Sequence, residues 1–197
     1  MLDHPAALAL GLILAYAIGC ISPAYLAVRL ALGRDIREEA TGTVGATNVS
    51  RLLGRKVGVA VALADIAKGA FAVWAAGAAS GLPDLSIAAM TAVIMGHIWP
   101  LPLGFRGGKG LAAGFGALLW ISPLTALIAA LLNMALSWAM RSATLGTLIA
   151  TAAIPLIALV SGLGAWPSLG LALPCALVIF AHRGNWQRAF TERTEKP

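Results

Sequence analysis

Of 197 residues, 59% are hydrophobic and 11% are charged. A soluble chain carries about 25% charged residues, so an ordinary soluble domain is excluded and an integral membrane protein is expected. The net charge of +6 lies in short loops between apolar runs, a pattern of membrane orientation rather than of a nucleic-acid partner.

The first apolar run, about Pro5 to Leu32, is long enough for a tilted span, with Arg29 near its end able to snorkel to the interface. It follows Asp3 and His4 rather than a basic start, so no cleavable signal is expected. A polar segment, Gly33 to Lys56, carries Arg34, Arg37, Arg51, Arg55 and Lys56 against Asp35, Glu38 and Glu39. Val57 to Ser80 reads as a second span and Leu85 to Leu103 as a third, joined by a Gly-Leu-Pro-Asp turn at 81–84. Leu111 to Met140 is interrupted by Ser122-Pro123, so one kinked helix and two short ones both fit. Ala143 to Val160 and about Ser168 to Ala181 complete the spans, and the tail carries Arg183, Arg188, Arg193 and Lys196. Counting Ser122-Pro123 as a turn places every Arg and Lys except Lys68 on one side. The positive-inside rule then predicts seven spans, the N-terminus outside and the C-terminus cytoplasmic. The fold expected is a single all-α domain over 1–197, a polytopic helical bundle.

Three polar segments meet on the cytoplasmic face in that topology. One is the glycine loop, Gly104-Phe105-Arg106-Gly107-Gly108-Lys109-Gly110. Its glycines let successive N–H groups converge on an anion, Lys109 and Arg106 add charge, and the run from Leu111 can offer a helix N-terminus. A tight positive turn between two membrane helices would look the same taken alone, since no Ser or Thr follows Lys109 as in a nucleotide P-loop. The second segment is Thr41 to Lys56, where Thr41, Thr43, Asn48 and Arg51 supply hydroxyls, an amide and a guanidinium; helix capping would also use such residues. The third begins His182-Arg183-Gly184-Asn185, and His97 flanks the same face. Asp65 and Lys68, three apart in the second span, either pair to lessen their burial or mark a site. Cys20 and Cys175 lie within apolar runs without metal-ligand spacing, and no HExxH or carboxylate dyad is present. No metal and no cofactor is expected. Cations, hydroxyls and backbone donors together suit a phosphorylated, acyl-bearing molecule at a bilayer.

The chain resembles the bacterial acyl-phosphate-dependent glycerol-3-phosphate acyltransferases, the PlsY family. The resemblance rests on Gly-Cys-Ile-Ser-Pro-Ala-Tyr at 19–25, Gly45-Ala46-Thr47-Asn48 with Arg51, and Asp65-Ile66-Ala67-Lys68-Gly69. It continues through Gly96-His97-Ile98-Trp99-Pro100, the glycine loop, and His182-Arg183-Gly184-Asn185. The family usually reads Gly-Ser-Gly-Asn where this chain has Ala40-Thr41-Gly42-Thr43, and often Arg-His-Arg where it has Ala181-His182-Arg183.

That resemblance implies acyl transfer from acyl phosphate to the 1-hydroxyl of glycerol 3-phosphate, giving lysophosphatidate and phosphate, at the cytoplasmic face of the bacterial inner membrane. Gly104, Arg106, Gly107, Gly108, Lys109 and Gly110 are expected to hold acyl phosphate. Thr41, Thr43, Asn48, Arg51, His97, His182 and Asn185 are expected at glycerol 3-phosphate. Lys109, His182, Asn185 and Arg51 are the catalytic candidates, with His182 or the donor phosphate as base. The partners implied are these two substrates and membrane lipid, and no nucleic acid. The alternatives are an acyltransferase with another phosphorylated acceptor, motivated by Thr41 and Thr43, and a small transporter or lipid-binding protein. A transporter predicts internal repeats with matching breaks, and none is found.

Overall fold

The computed structural model describes residues 4–82 and 85–184, and among these every regular element is helical. Two compact units divide the chain, residues 1–120 and 121–197.

In the first unit, the run expected as one span is two helices, α1 (His4–Cys20) and α2 (Pro23–Leu32). Pro23 brings no N–H to continue α1, and Ser22 takes the cap instead, its Oγ accepting the Tyr25 N–H at 3.2 Å. After α2 the chain turns at left-handed Gly33 (φ 69) into a short 3₁₀ turn, Ile36–Glu38, and then α3 (Ala46–Leu53). This polar segment has an apolar underside. Ile36, Val44 and Val49 are buried with Ala24, Val28 and Val61, which pins the segment onto α2 and α4 (Arg55–Ser80). Full burial of a Val or Ile side chain is worth about 1.5–3 kcal/mol, enough to hold an otherwise hydrophilic loop in one shape.

The longer helices of this unit meet through glycine. A Cβ on Gly19 of α1 would strike the Val93 carbonyl and Gly96 of α5 (Ser86–Ile98), and one on Gly96 would strike the Tyr16 carbonyl and Gly19. The same interlock joins α4 to α6 (Leu111–Ile121), with Gly69 over the Ala113 carbonyl and Gly116 over that of Ile66. Small residues let membrane helices approach where no hydrophobic drive separates protein from lipid. The α4–α6 contact lies at the start of α6, so it also fixes where the glycine loop emerges.

The second unit holds α7 (Pro123–Ala139), α8 (Ala143–Val160), α9 (Ala165–Gly170) and α10 (Ala172–Ala181). Ser122 caps α7 ahead of Pro123, so the 111–140 run contains two separate helices. α7 and α8 form a hairpin through left-handed Arg141 (φ 49), with Gly146 packed on Ser137. Among the described residues, four segments are long and apolar enough to cross a membrane: His4–Leu32, Arg55–Ser80, Ser86–Leu103 and Ala143–Val160. Leu111–Ile121, Pro123–Ala139 and Ala165–Ala181 are shorter apolar stretches.

Candidate active site

The glycine loop is a hook folded back over the end of α5. Gly104 and Phe105, both at φ 61, reverse the chain. The Phe105 N–H then bonds the Pro100 carbonyl, that of Gly107 bonds Ile98, and that of Gly108 bonds His97, each at 3.0 Å. This corrects one expectation from the sequence. The amides of Gly107 and Gly108 already serve backbone carbonyls, so these glycines act by close approach and do not offer their N–H groups to an anion. A Cβ on Gly107 would meet the carbonyls of His97 and Ile98. One on Gly108 would meet both the His97 imidazole at Nε2 and the Val44 carbonyl. Arg106 is exposed, Lys109 is half-buried, and Gly110 (φ 79) packs on Ile94 and Ile98 directly before α6. The first turn of α6 thus opens beside Lys109.

Val44 belongs to the Thr41–Arg51 segment, so Gly108 is where that segment and the glycine loop touch. The segment is organised by Asn48, which is fully buried. Its Nδ2 donates to the carbonyls of Ile36 (3.2 Å), Glu39 (3.1 Å) and Thr43 (3.0 Å), and its Oδ1 accepts the Thr41 N–H (3.2 Å). Asn48, expected as an acceptor ligand, is therefore the internal brace of the loop. Its amide is engaged by the loop's own backbone, as an interior polar group must be. Thr41 and Thr43 share a hydroxyl–hydroxyl bond of 2.8 Å, and Arg51 stands exposed on α3.

Two residues outside the expected site tie these loops together. Arg37 chelates Asp35 through Nε and Nη2, passes 5.8 Å over the Tyr25 ring, and donates Nη1 to the Leu103 carbonyl at 2.7 Å. Hydrogen bonds from the Arg37 guanidinium hold the Asp35 carboxyl down at about 2, and the charge of Arg106 acts in the same direction. The sequence showed the Asp35–Arg37 proximity but not the bond to Leu103, 66 residues on.

Beneath the glycine loop is a buried charged cluster. Lys68 Nζ lies 2.9 Å from Asp65 Oδ1 and donates to the carbonyls of Ile21 (2.6 Å) and Gly19 (3.2 Å), at the break between α1 and α2. Asp65 Oδ1 is also 3.5 Å from His97 Nδ1. His97, expected at glycerol 3-phosphate, is 8% exposed, and its Nε2 side faces Gly108. Tyr16 adds a further tie, its hydroxyl donating to the Trp99 carbonyl at 2.7 Å.

In the second unit, His182 follows α10, buried, with Nδ1 2.7 Å from the Val178 carbonyl. A carbonyl only accepts, so Nδ1 carries the proton there. Asn185 lies outside the described residues. No group of His, Cys, Asp and Glu able to hold a metal occurs among the described residues.

A family profile described as glycerol-3-phosphate acyltransferase matches residues 9–192. The chain is 42% identical to the glycerol-3-phosphate acyltransferase of Geobacter sulfurreducens, over 88% of its own length and 89% of that protein's. It is 39% identical to that of Myxococcus xanthus, over 93% and 96%. Among solved structures it is similar to the crystal structure of PlsY (YgiH), an integral membrane glycerol 3-phosphate acyltransferase, in its glycerol 3-phosphate form. That match has a TM-score of 0.84 and 34% identity over 95% of this chain and 94% of the other. The lysophosphatidic acid form matches with a TM-score of 0.81.

Proposed function

This chain belongs to the glycerol-3-phosphate acyltransferase family, and from that membership we propose that it moves a fatty acyl group from acyl phosphate to the 1-hydroxyl of glycerol 3-phosphate. It is an integral membrane acyltransferase acting on glycerol 3-phosphate; the acyl-phosphate donor and the residue roles are our assignment. The oxygen of the 1-hydroxyl bonds to the acyl carbon, its proton passes to His182 or to the donor phosphate, the bond from that carbon to the phosphate oxygen breaks, and lysophosphatidate and inorganic phosphate leave. An acyl phosphate is already activated, so the protein needs no covalent intermediate. Its task is to hold two anions in reach of each other, which removes on the order of 7–11 kcal/mol of barrier when alignment is good.

The observation that carries this reading is the contact at Gly108. One loop rich in cations and one rich in hydroxyls, each suited to an anion, touch there without an intervening side chain. We assign the donor phosphate to Lys109, Arg106 and the opening turn of α6, with Gly104, Gly107, Gly108 and Gly110 giving the loop its shape. We assign the acceptor phosphate to Arg51, Thr41 and Thr43. Arg51 offers a planar fork for two phosphate oxygens where a lysine would offer a point charge. His182 and Asn185 keep the acceptor roles that the resemblance implies, His182 as a candidate base. One domain over 1–197, seven spans, N-terminus outside, and a site facing the cytoplasm of the inner membrane complete the proposal, supported by the one-sided distribution of Arg and Lys.

Purified protein given labelled glycerol 3-phosphate and acyl phosphate tests it, with acyl-CoA as control donor. Lysophosphatidate should form with acyl phosphate alone. Product formed only from acyl-CoA would refute the donor assignment.

A further inference from the structure

The buried charges have no role in the scheme above, yet they reach from a helix break to the glycine loop. Lys68 donates to the Gly19 and Ile21 carbonyls, which lack helical partners because α1 stops at Cys20. Its ammonium lies 2.9 Å from Asp65 Oδ1, and the same oxygen faces His97 Nδ1 at 3.5 Å. His97 then meets the loop twice. Its carbonyl accepts the Gly108 N–H at 3.0 Å, and its ring lies under Gly108 on the Nε2 side. Every member of this chain is buried: Asp65 at 2%, His97 at 8% and Lys68 at 9% exposure.

Mutual neutralisation alone does not account for the arrangement. Two charges placed only to cancel each other need no third polar side chain, and burying such a pair is no better than burying well-packed apolar residues. Here the same carboxylate oxygen also faces a third polar side chain across 3.5 Å, and that side chain is the floor of the glycine loop. The two atoms make no hydrogen bond at this distance, yet both are buried without another hydrogen-bond partner, so their mutual attraction favours the ring orientation that turns Nδ1 toward Asp65.

We propose that Asp65 and Lys68 are positioning residues that set the glycine loop through His97. Lys68 anchors the carboxylate to the α1–α2 break, Asp65 orients the His97 ring, and the ring fixes the height of Gly108 between His97 and Val44. None of the three touches substrate. The proposal deepens the reading that this loop holds the donor phosphate and rests on it for its kinetic consequence, because an ångström of misplacement can cost about 10²-fold in rate.

The test uses the full-length protein in detergent and compares two double variants. Asp65→Leu/Lys68→Met removes both charges and the acceptor for His97. Asp65→Asn/Lys68→Met also removes both charges but keeps a carbonyl oxygen facing Nδ1. Thermal stability should fall by a similar amount in both, since each leaves the Gly19 and Ile21 carbonyls without the Lys68 donor and the two differ only at Asp65. Turnover with acyl phosphate should fall at least about tenfold in the leucine variant and be restored in part in the asparagine variant, which keeps the oxygen facing Nδ1 but not its Lys68 anchor. The KM for glycerol 3-phosphate should change less than twofold in either. Hydrogen exchange at residues 104–110 reads the same claim whatever the donor is, and should quicken more in the leucine variant than in the asparagine variant. Equal turnover and equal exchange in the two variants would overturn the proposal, whereas a wild-type protein inactive with acyl phosphate would overturn the donor assignment. If the leucine variant does not fold, His97→Asn against His97→Leu replaces it. These are matched in size, and only asparagine keeps a donor for Asp65. Equal turnover and exchange in that pair would likewise overturn the proposal.

Discussion

Replacing Gly108 by alanine isolates what the glycine loop does. The added methyl would lie against the His97 imidazole on one side and the Val44 carbonyl on the other, and the Gly108 N–H is held on the His97 carbonyl at 3.0 Å. The loop has to lift off one neighbour to admit it. Overpacking of this type costs about 1–3 kcal/mol; expressed through the reaction, that is about a 5- to 150-fold loss in kcat/KM. Because the methyl separates the two loops, kcat/KM should fall for acyl phosphate and glycerol 3-phosphate alike. Gly104→Ala is the control. Gly104 has φ 61 and no atom near where a Cβ would go, so alanine there adds backbone strain of about 1–2 kcal/mol without crowding. It should lower the melting temperature while leaving both KM values within about twofold. The assay is steady-state acyl transfer with each substrate varied, beside thermal unfolding in the same detergent. Gly108→Ala kinetics within twofold of wild type, or a defect confined to one substrate, would refute the reasoning.

Lys109→Ala should lower turnover by about 10²–10³, the usual effect of removing a charge that stabilises a leaving anion; phosphate release in single-turnover experiments checks it. Arg51→Lys should raise the KM for glycerol 3-phosphate much more than that for acyl phosphate, while Thr43→Asn should leave acceptor affinity equal or tighter; paired KM measurements decide both. The Asp35–Arg37 latch should show a defined pH dependence. The carboxyl value is lowered from 3.8 to about 2 by Arg37, so the latch contributes fully above pH 3.8 and is lost as pH falls toward 2. Proteolysis by an acid-active protease within 33–45 should rise over that range, and Asp35→Asn should be cut readily at every pH. A cysteine at Ser122, with Cys20 and Cys175 replaced, should be labelled from outside the cell; labelling only from the cytoplasm would break the seven-span topology.

Two Ser-Pro pairs show what could and could not be read in the sequence. Ser122-Pro123 and Ser22-Pro23 both cap a new helix in the same way, a serine Oγ accepting the N–H three residues on. The first was legible as a break because only a turn there puts Arg141 and the tail on the same side as the other cations. The second was not, because Pro5 to Leu32 fits a single tilted helix. The glycine loop, its cations and the hydroxyl-rich segment were legible as local composition. Asn48 was legible as a polar residue of this segment but not as its brace: whether a buried amide faces outward or its own loop depends on where Ile36, Glu39 and Thr43 turn their carbonyls. The Arg37–Leu103 bond and the burial of His97 were equally out of reach, since both arise from chain paths that no spacing encodes.

The ionised pair inside the second span follows from the unread break. An α-helix that stops within an apolar run leaves carbonyls without partners, and away from water each is costly. Gly19 in the last turn of α1 and Ile21 just beyond it present such carbonyls, and a lysine satisfies them with charge of the sign that a helix C-terminus favours. Once Lys68 is there its own charge needs an answer, and Asp65, three residues earlier on the same helix, gives it at 2.9 Å. Gly19 serves both ends of this logic. Its carbonyl receives Lys68, and its missing side chain lets α1 approach α5, where His97 sits one residue beyond Gly96. The causal order runs from Pro23 to the helix break, from the break to Lys68, from Lys68 to Asp65, and from Asp65 to the histidine under the glycine loop. Charges that look anomalous in an apolar span are therefore the means by which a distant proline bears on the site.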